Sequence, residues 1–138
     1  MFLVDTNVLS EALRTAPAPQ VQRWLDLNLG SSGLGTPVLF ELRLGAAAIS
    51  DEARRNQLQQ AIDRTVQRFG SRIYALDRAS ADAAGELVGL AARGGRALER
   101  LDAQIAGIAA VYGLTLVTRN TRDFEITGVD LLNPWQID

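Results

Sequence analysis

Four carboxylates carry the chemistry open to this sequence. Asp5 ends a short apolar run, Phe2-Leu3-Val4, that reads as a buried strand and leads through small polar residues into a helical pattern. Asp123, in "TRNTRDF", lies just beyond a second strand-like run, "LTLVT". Asp102 opens the last long helical pattern, and Glu41 stands about a turn inside an earlier one. If the strands are parallel, the two strand ends and the two helix starts share one rim, where ligands of such sheets gather. Four converging negative charges raise one another's pKa values and destabilise the bare cluster unless a cation offsets them. Mg²⁺, which prefers octahedral oxygen coordination among a few carboxylates and substrate phosphates, is the simple remedy. Each acid also has a structural reading: Asp5 as a helix cap, Asp102 at the positive end of a helix, Glu41 in solvent, Asp123 in a turn.

What the chain lacks narrows the choice. Its 138 residues contain no His, Cys or Lys, and all 14 basic residues are Arg. Ser-His-Asp and Cys-His catalysis, zinc sites with nitrogen or thiolate ligands, Schiff bases and Walker-type phosphate loops are therefore excluded. Any metal has to be held by oxygen, which points to magnesium or manganese. A net charge of −2 says little about nucleic acid, because local patches decide that.

The elements that must position the acids follow from periodicity. Residues 7–13 read as a short helix and 20–29 as a second, with Val21, Trp24, Leu25 and Leu29 on its core-facing stripe. After the turn at 30–33 and a brief strand at Leu34-Gly35, Thr36 is expected to cap a helix with Pro37 at its first position and an apolar face through Val38, Leu42, Gly45 and Ile49. Leu58, Ile62, Val66 and Phe69 mark a helix over 51–69, with Arg64, Arg68 and Arg72 on a solvated face. Strands are expected at 73–76, 114–118 and 129–132, and helices at 80–93 and 101–112, the latter burying Leu101, Ile105, Ile108 and Tyr112. Strands separated by helices imply an α/β fold, a three-layer α/β/α sandwich around a mainly parallel sheet. With 47% hydrophobic and 22% charged residues the composition is that of an ordinary globular protein, expected to form a single domain over 1–138. No membrane-length apolar segment or leader pattern is present, so the expected location is cytoplasmic.

"MFLVDTNVLSE", "TPVLFELRLG", "LDAQIAGIAAVYGLTLVTRNTRDF" and the closing "GVDLLNPW" together closely resemble the PIN-domain family, in particular the VapC and FitB-like toxins of bacterial toxin-antitoxin pairs. The resemblance covers nearly the whole chain and matches least in the middle helices. It implies a metal-dependent endoribonuclease, cleaving RNA by attack of an activated water on a phosphodiester, with Mg²⁺ or Mn²⁺ as cofactor. By the same resemblance Asp5 and Asp102 match the principal metal-binding acids, Glu41 and Asp123 complete the acidic cluster, and Thr6, Asn7, Thr118 and Asn120 take the polar positions bordering it. Two features depart from the pattern: the charges of "ALERLD" before Asp102, and Phe40 before Glu41, which bear on substrate access more than on the metal site.

The implied partners are an RNA substrate and a cognate antitoxin of the VapB or FitA kind, with a homodimer and larger antitoxin-containing assemblies as the usual states. Arg119 and Arg122 flank the acids and are the candidates for holding RNA phosphates, for which a planar guanidinium is suited. Two other readings stay open. A phosphoaspartyl protein with Asp5 as nucleophile would normally use a Lys, and there is none. An antitoxin-binding or regulatory module with little or no nuclease turnover would use the same acids to receive a basic peptide.

Overall fold

A computed structural model describes residues 1–137. Five parallel strands, β1 (Phe2–Val4), β2 (Ser32–Gly35), β3 (Ile73–Tyr74), β4 (Thr115–Val117) and β5 (Leu131–Leu132), form one sheet in the order β3-β2-β1-β4-β5. Seven helices surround it: α1 (Thr6–Ala12), α2 (Pro19–Asn28), α3 (Thr36–Ala47), α4 (Glu52–Phe69), α5 (Arg78–Arg93), α6 (Arg100–Tyr112) and the single turn α7 (Thr121–Phe124). This is the α/β/α arrangement expected from the alternation of elements. Among the described residues no helix is long and apolar enough to cross a membrane.

The sheet order locates the crevice. From β1 the chain builds outward through β2 to β3, then returns to the other side of β1 to lay down β4 and β5. The reversal falls between β1 and β4, and their helices depart in opposite directions there, opening a cleft beyond the strand carboxyl ends. Leu3 and Val4 of β1 and Leu116 and Val117 of β4 are fully buried, which explains why both read as continuous apolar runs without alternation. Val8, Leu9, Val21, Trp24, Val38, Leu42, Ile62, Ile105 and Ile108 complete the same core. A smaller cluster of Ala84, Ala91, Leu98 and Ala103 joins α5 to α6. Those helices approach closely because Gly107 has no side chain: a Cβ there would stand 2.5 Å from the Ser80 carbonyl oxygen.

Several local expectations are corrected. The buried face of α3 runs through Val38, Leu42 and Ala46, while Gly45 faces solvent, because a stripe spaced by four residues stays on one side of the helix. Gly35, not Thr36, is the N-cap of α3, and the Thr36 hydroxyl instead accepts a bond from the Leu76 amide at 3.0 Å. Tyr112 is exposed and its hydroxyl donates to Asp77, the N-cap of α5. Arg72 does not belong to a solvated stripe: its guanidinium donates to the carbonyls of Ser32 (2.8 Å) and Leu29 (3.2 Å), fastening the end of α4 to β2. Of the stripe expected on α2, Val21, Trp24 and Leu25 are buried, while Leu29 is only half-buried.

Candidate metal centre

Asp5 leaves β1 at the reversal point, its amide still bonded to the Val117 carbonyl of β4 at 2.9 Å. The side chain is buried and fully engaged. Oδ1 accepts from the Thr6 amide at 2.7 Å, so Asp5 does cap α1. Oδ2 accepts from the Thr118 hydroxyl at 2.7 Å and from Asn7 Nδ2 at 3.2 Å. Thr118, immediately after β4, also accepts from Asn7 Nδ2 (3.3 Å) and from the Asn120 amide (3.1 Å). Asn7 Oδ1 in turn accepts from the Arg119 amide at 3.2 Å. A polar lattice thus stitches the end of β1 to the end of β4 and fixes the Asp5 carboxylate in one orientation. The Thr6 hydroxyl is buried without a hydrogen-bond partner among the described residues.

The other three acids arrive on separate elements. Asp102 lies in the first turn of α6, Glu41 within α3, and Asp123 on α7. Burial pushes the Asp102 carboxyl up to about 6, helped by the charges of Asp5, Glu41, Asp123 and Glu99. Burial likewise raises Asp5; its hydrogen bonds to Thr118 and Thr6 oppose the rise, and the Glu41 charge adds to it. The four acids therefore share one electrostatic neighbourhood although they are distant in sequence. In the arrangement seen, no group of three acids among the described residues is gathered closely enough to hold a metal ion. Their convergence is electrostatic, one step short of ligation.

The donor set suits a hard divalent cation. It offers carboxylates, hydroxyls and side-chain amides only, with the Asp5 carboxylate already fixed by Thr118, Asn7 and the Thr6 amide and near enough to Asp102 to raise its pKa. Asn120 stands at the start of α7, its backbone rather than its side chain engaged with Thr118.

The two arginines differ. Arg122 is exposed on α7 beside Asp123. Arg119 has its backbone fixed at the site, its carbonyl accepting from Asn133 Nδ2 at 3.4 Å, while its guanidinium carbon lies 5.0 Å from the centre of the Trp135 ring. Its charge also helps hold the buried Glu11 carboxyl below the usual range, behind the larger effect of the Ala18 amide. The Arg119 head therefore lies against Trp135 of the C-terminal segment, close enough to α1 for its charge to act on Glu11.

Sequence reasoning missed four participants. Glu99, one helical turn before the α6 acid, adds to the charge on Asp102, and its place in "ALERLD" was the available signal. Asn133 and Trp135, in "LLNPW", steady Arg119, which no local pattern announces because the contact spans 14 residues or more. Glu11 needs tertiary structure to be seen: its partners Ala18 and Arg14 close the α1–α2 connection.

Comparison with known proteins agrees with this architecture. The PIN domain family model matches residues 2–129. Toxin FitB of Neisseria gonorrhoeae is 34% identical over 98% of this chain and 99% of its own length. VapC ribonuclease Y4jK of Sinorhizobium fredii is 30% identical over 99% of both. The crystal structure of FitAcB from Neisseria gonorrhoeae superposes with a TM-score of 0.91, at 33% identity, covering 99% of this chain and 100% of that one.

Proposed function

Because the chain belongs to the PIN domain family, we propose that it is a divalent-metal-dependent endoribonuclease, the toxin of a toxin-antitoxin pair. The observation that carries the proposal is the mutual electrostatic influence of Asp5, Glu41, Asp102 and Asp123 at the cleft where the sheet reverses. The ribonuclease and toxin names of relatives that match this chain end to end support the same reading.

Asp5 and Asp102 are the residues we assign to hold Mg²⁺ or Mn²⁺, with Glu41 and Asp123 completing the set. Such an ion, when bound, supplies Lewis-acid polarisation of the phosphodiester and lowers the pKa of the attacking water. The chain's own contribution is orientation. Thr118 and Asn7 fix the Asp5 carboxylate, the Asn120 amide fixes Thr118, and Thr6 brings a second hydroxyl beside the same acid. Arg122, exposed next to Asp123, is the better placed of the two arginines to meet an RNA phosphate, since the Arg119 head is stacked on Trp135. The proposed protein partner is a cognate antitoxin, by likeness to the toxin FitB and to the solved FitAcB structure.

The test is cleavage of RNA by the purified chain with Mg²⁺ or Mn²⁺, beside the Asp5→Asn and Asp102→Asn variants. Metal-dependent cleavage that both variants abolish supports the assignment. Equal cleavage by wild type and variants, or none by any of them, overturns it.

A further inference from the structure

The backbone of Arg119 is pinned on both sides while the donor edge of its side chain is left open. Its amide donates to Asn7 Oδ1 at 3.2 Å, and its carbonyl accepts from Asn133 Nδ2 at 3.4 Å. Asn133 Oδ1 in turn accepts from the Trp135 amide at 2.9 Å, so one side chain ties together the backbones of both stacked residues. Trp135 is half-buried, follows the buried Pro134 and packs against the main core, which makes its ring a fixed platform. The Arg119 guanidinium carbon lies over that ring, 5.0 Å from its centre. Arg119 is nevertheless exposed, and among the described residues its guanidinium makes no hydrogen bond or ion pair. A platform, an anchored backbone and unmet donors together are the parts of a recognition site, whereas an ordinary solvated arginine has only the last.

What the fork can hold follows from its donors. Two parallel N–H groups match either a pair of phosphate oxygens or two neighbouring acceptors on one base edge. Guanine alone has such an edge, with O6 beside N7; adenine and cytosine place an amino donor there, and uracil a single carbonyl. Single-stranded RNA leaves these edges free to be read. The surroundings favour the base over the phosphate. The Glu11 carboxylate is near enough for its charge and that of Arg119 to act on each other, so a phosphate arriving at the fork meets a negative charge that a neutral base edge does not. Stacking on the indole also fixes the plane of the guanidinium, which a flat base edge uses.

We propose that Arg119, stacked on Trp135, is a guanine-reading subsite that selects a nucleotide beside the cleaved bond. This deepens the nuclease reading and rests on it. The subsite adjoins the metal centre through Asn7, whose Oδ1 accepts from the Arg119 amide and whose Nδ2 donates to Asp5 Oδ2 at 3.2 Å. One side chain therefore sets the register between the base that is read and the acid that orients the metal. It also gives the two arginines separate tasks, with Arg122 meeting the backbone and Arg119 the base.

Binding of short single-stranded RNA oligonucleotides to the full chain tests it, with Ca²⁺ in place of Mg²⁺ to hold the RNA without cleavage, and with circular dichroism verifying that each variant is folded. One guanosine is placed at each position of a uridine strand in turn, and the best-bound sequence is remade with adenosine and with 7-deazaguanosine, which lacks the N7 acceptor. The wild type is expected to bind the guanosine strand about tenfold or more tightly than either replacement, the discrimination typical of a bidentate pair. Arg119→Lys keeps the charge and loses the planar fork, so the three affinities are expected to converge. A merely structural loss would instead weaken all three and preserve their ratio. Trp135→Leu removes the platform and is expected to lower the same ratio. Binding that ignores the base, as a phosphate contact would, overturns the subsite and leaves the nuclease reading standing, and so does a guanosine preference that Arg119→Lys retains in full. Failure to bind any of these strands overturns the RNA substrate itself and the subsite with it.

Discussion

Thr118 shares one buried hydroxyl among Asp5, Asn7 and Asn120, so its loss is felt at three places. Thr118→Val keeps the shape and removes the oxygen. It is expected to cost about 1–3 kcal/mol in chemical denaturation, the usual penalty for leaving buried polar partners unmet. Metal-dependent cleavage should fall by about tenfold or more, as for other residues that orient a metal-binding carboxylate. Asp102 makes a second prediction at this scale, in metal-free solution. Its carboxyl is raised from an ordinary 3.8 to about 6, so between those values the folded chain binds more protons than the unfolded one. Stability is then highest below about pH 4 and is lost as pH rises through 6. Thermal melting in a chelator should show that decline, and Asp102→Asn should flatten it. That the four acids act on one another's charge was legible from sequence, because strand ends and helix starts of a parallel sheet share a rim. Their partners were less so. The Thr118–Asp5 bond joins residues 113 apart, and only the sheet order brings them together.

Helix α6 must be held close to α5 for Asp102 to reach the cleft, and Gly107 is where the two nearly touch. An added methyl would stand 2.5 Å from the Ser80 carbonyl oxygen and 3.0 Å from the Ala84 amide nitrogen, both backbone atoms that cannot swing away. Gly107→Ala is expected to destabilise the fold by about 1–3 kcal/mol in urea denaturation, the cost typical of overpacking. It should also weaken metal affinity, because α6 carries one of the acids outward with it. The N-terminus of α5 offers a milder case. Asp77 accepts from the Ser80 amide at 2.9 Å and receives the Tyr112 hydroxyl, so Asp77→Ala should lower the melting temperature while leaving cleavage intact. At this scale sequence periodicity served where one side of a helix is apolar for several turns, as in α2, α4 and α6. It failed where a single turn or a tertiary bond decides. The four-residue α7 is too short to show a period, and Tyr112 reads as core by spacing while its hydroxyl is drawn to a helix cap on another element.

For the whole molecule, the acid cluster is a cost that a cation offsets. Added Mg²⁺ or Mn²⁺ is expected to raise the melting temperature, and at a hundredfold excess over the dissociation constant the gain is about 2.7 kcal/mol. Differential scanning calorimetry of wild type, Asp5→Asn and Asp102→Asn checks this, and the two variants should show little or no such gain. The overall architecture was the most legible level of all, because an α/β alternation admits few topologies once crossovers are right-handed. What could not be read is how nearly the carboxylates meet, since that depends on side-chain placement at the ends of four different elements. The sheet order has a consequence for synthesis on the ribosome. The first strand to be made sits between β2 and β4, with Phe2, Leu3 and Val4 paired to Thr115, Leu116 and Val117. A nascent chain therefore cannot bring its four acids together until β4 and α7, in its last quarter, have emerged.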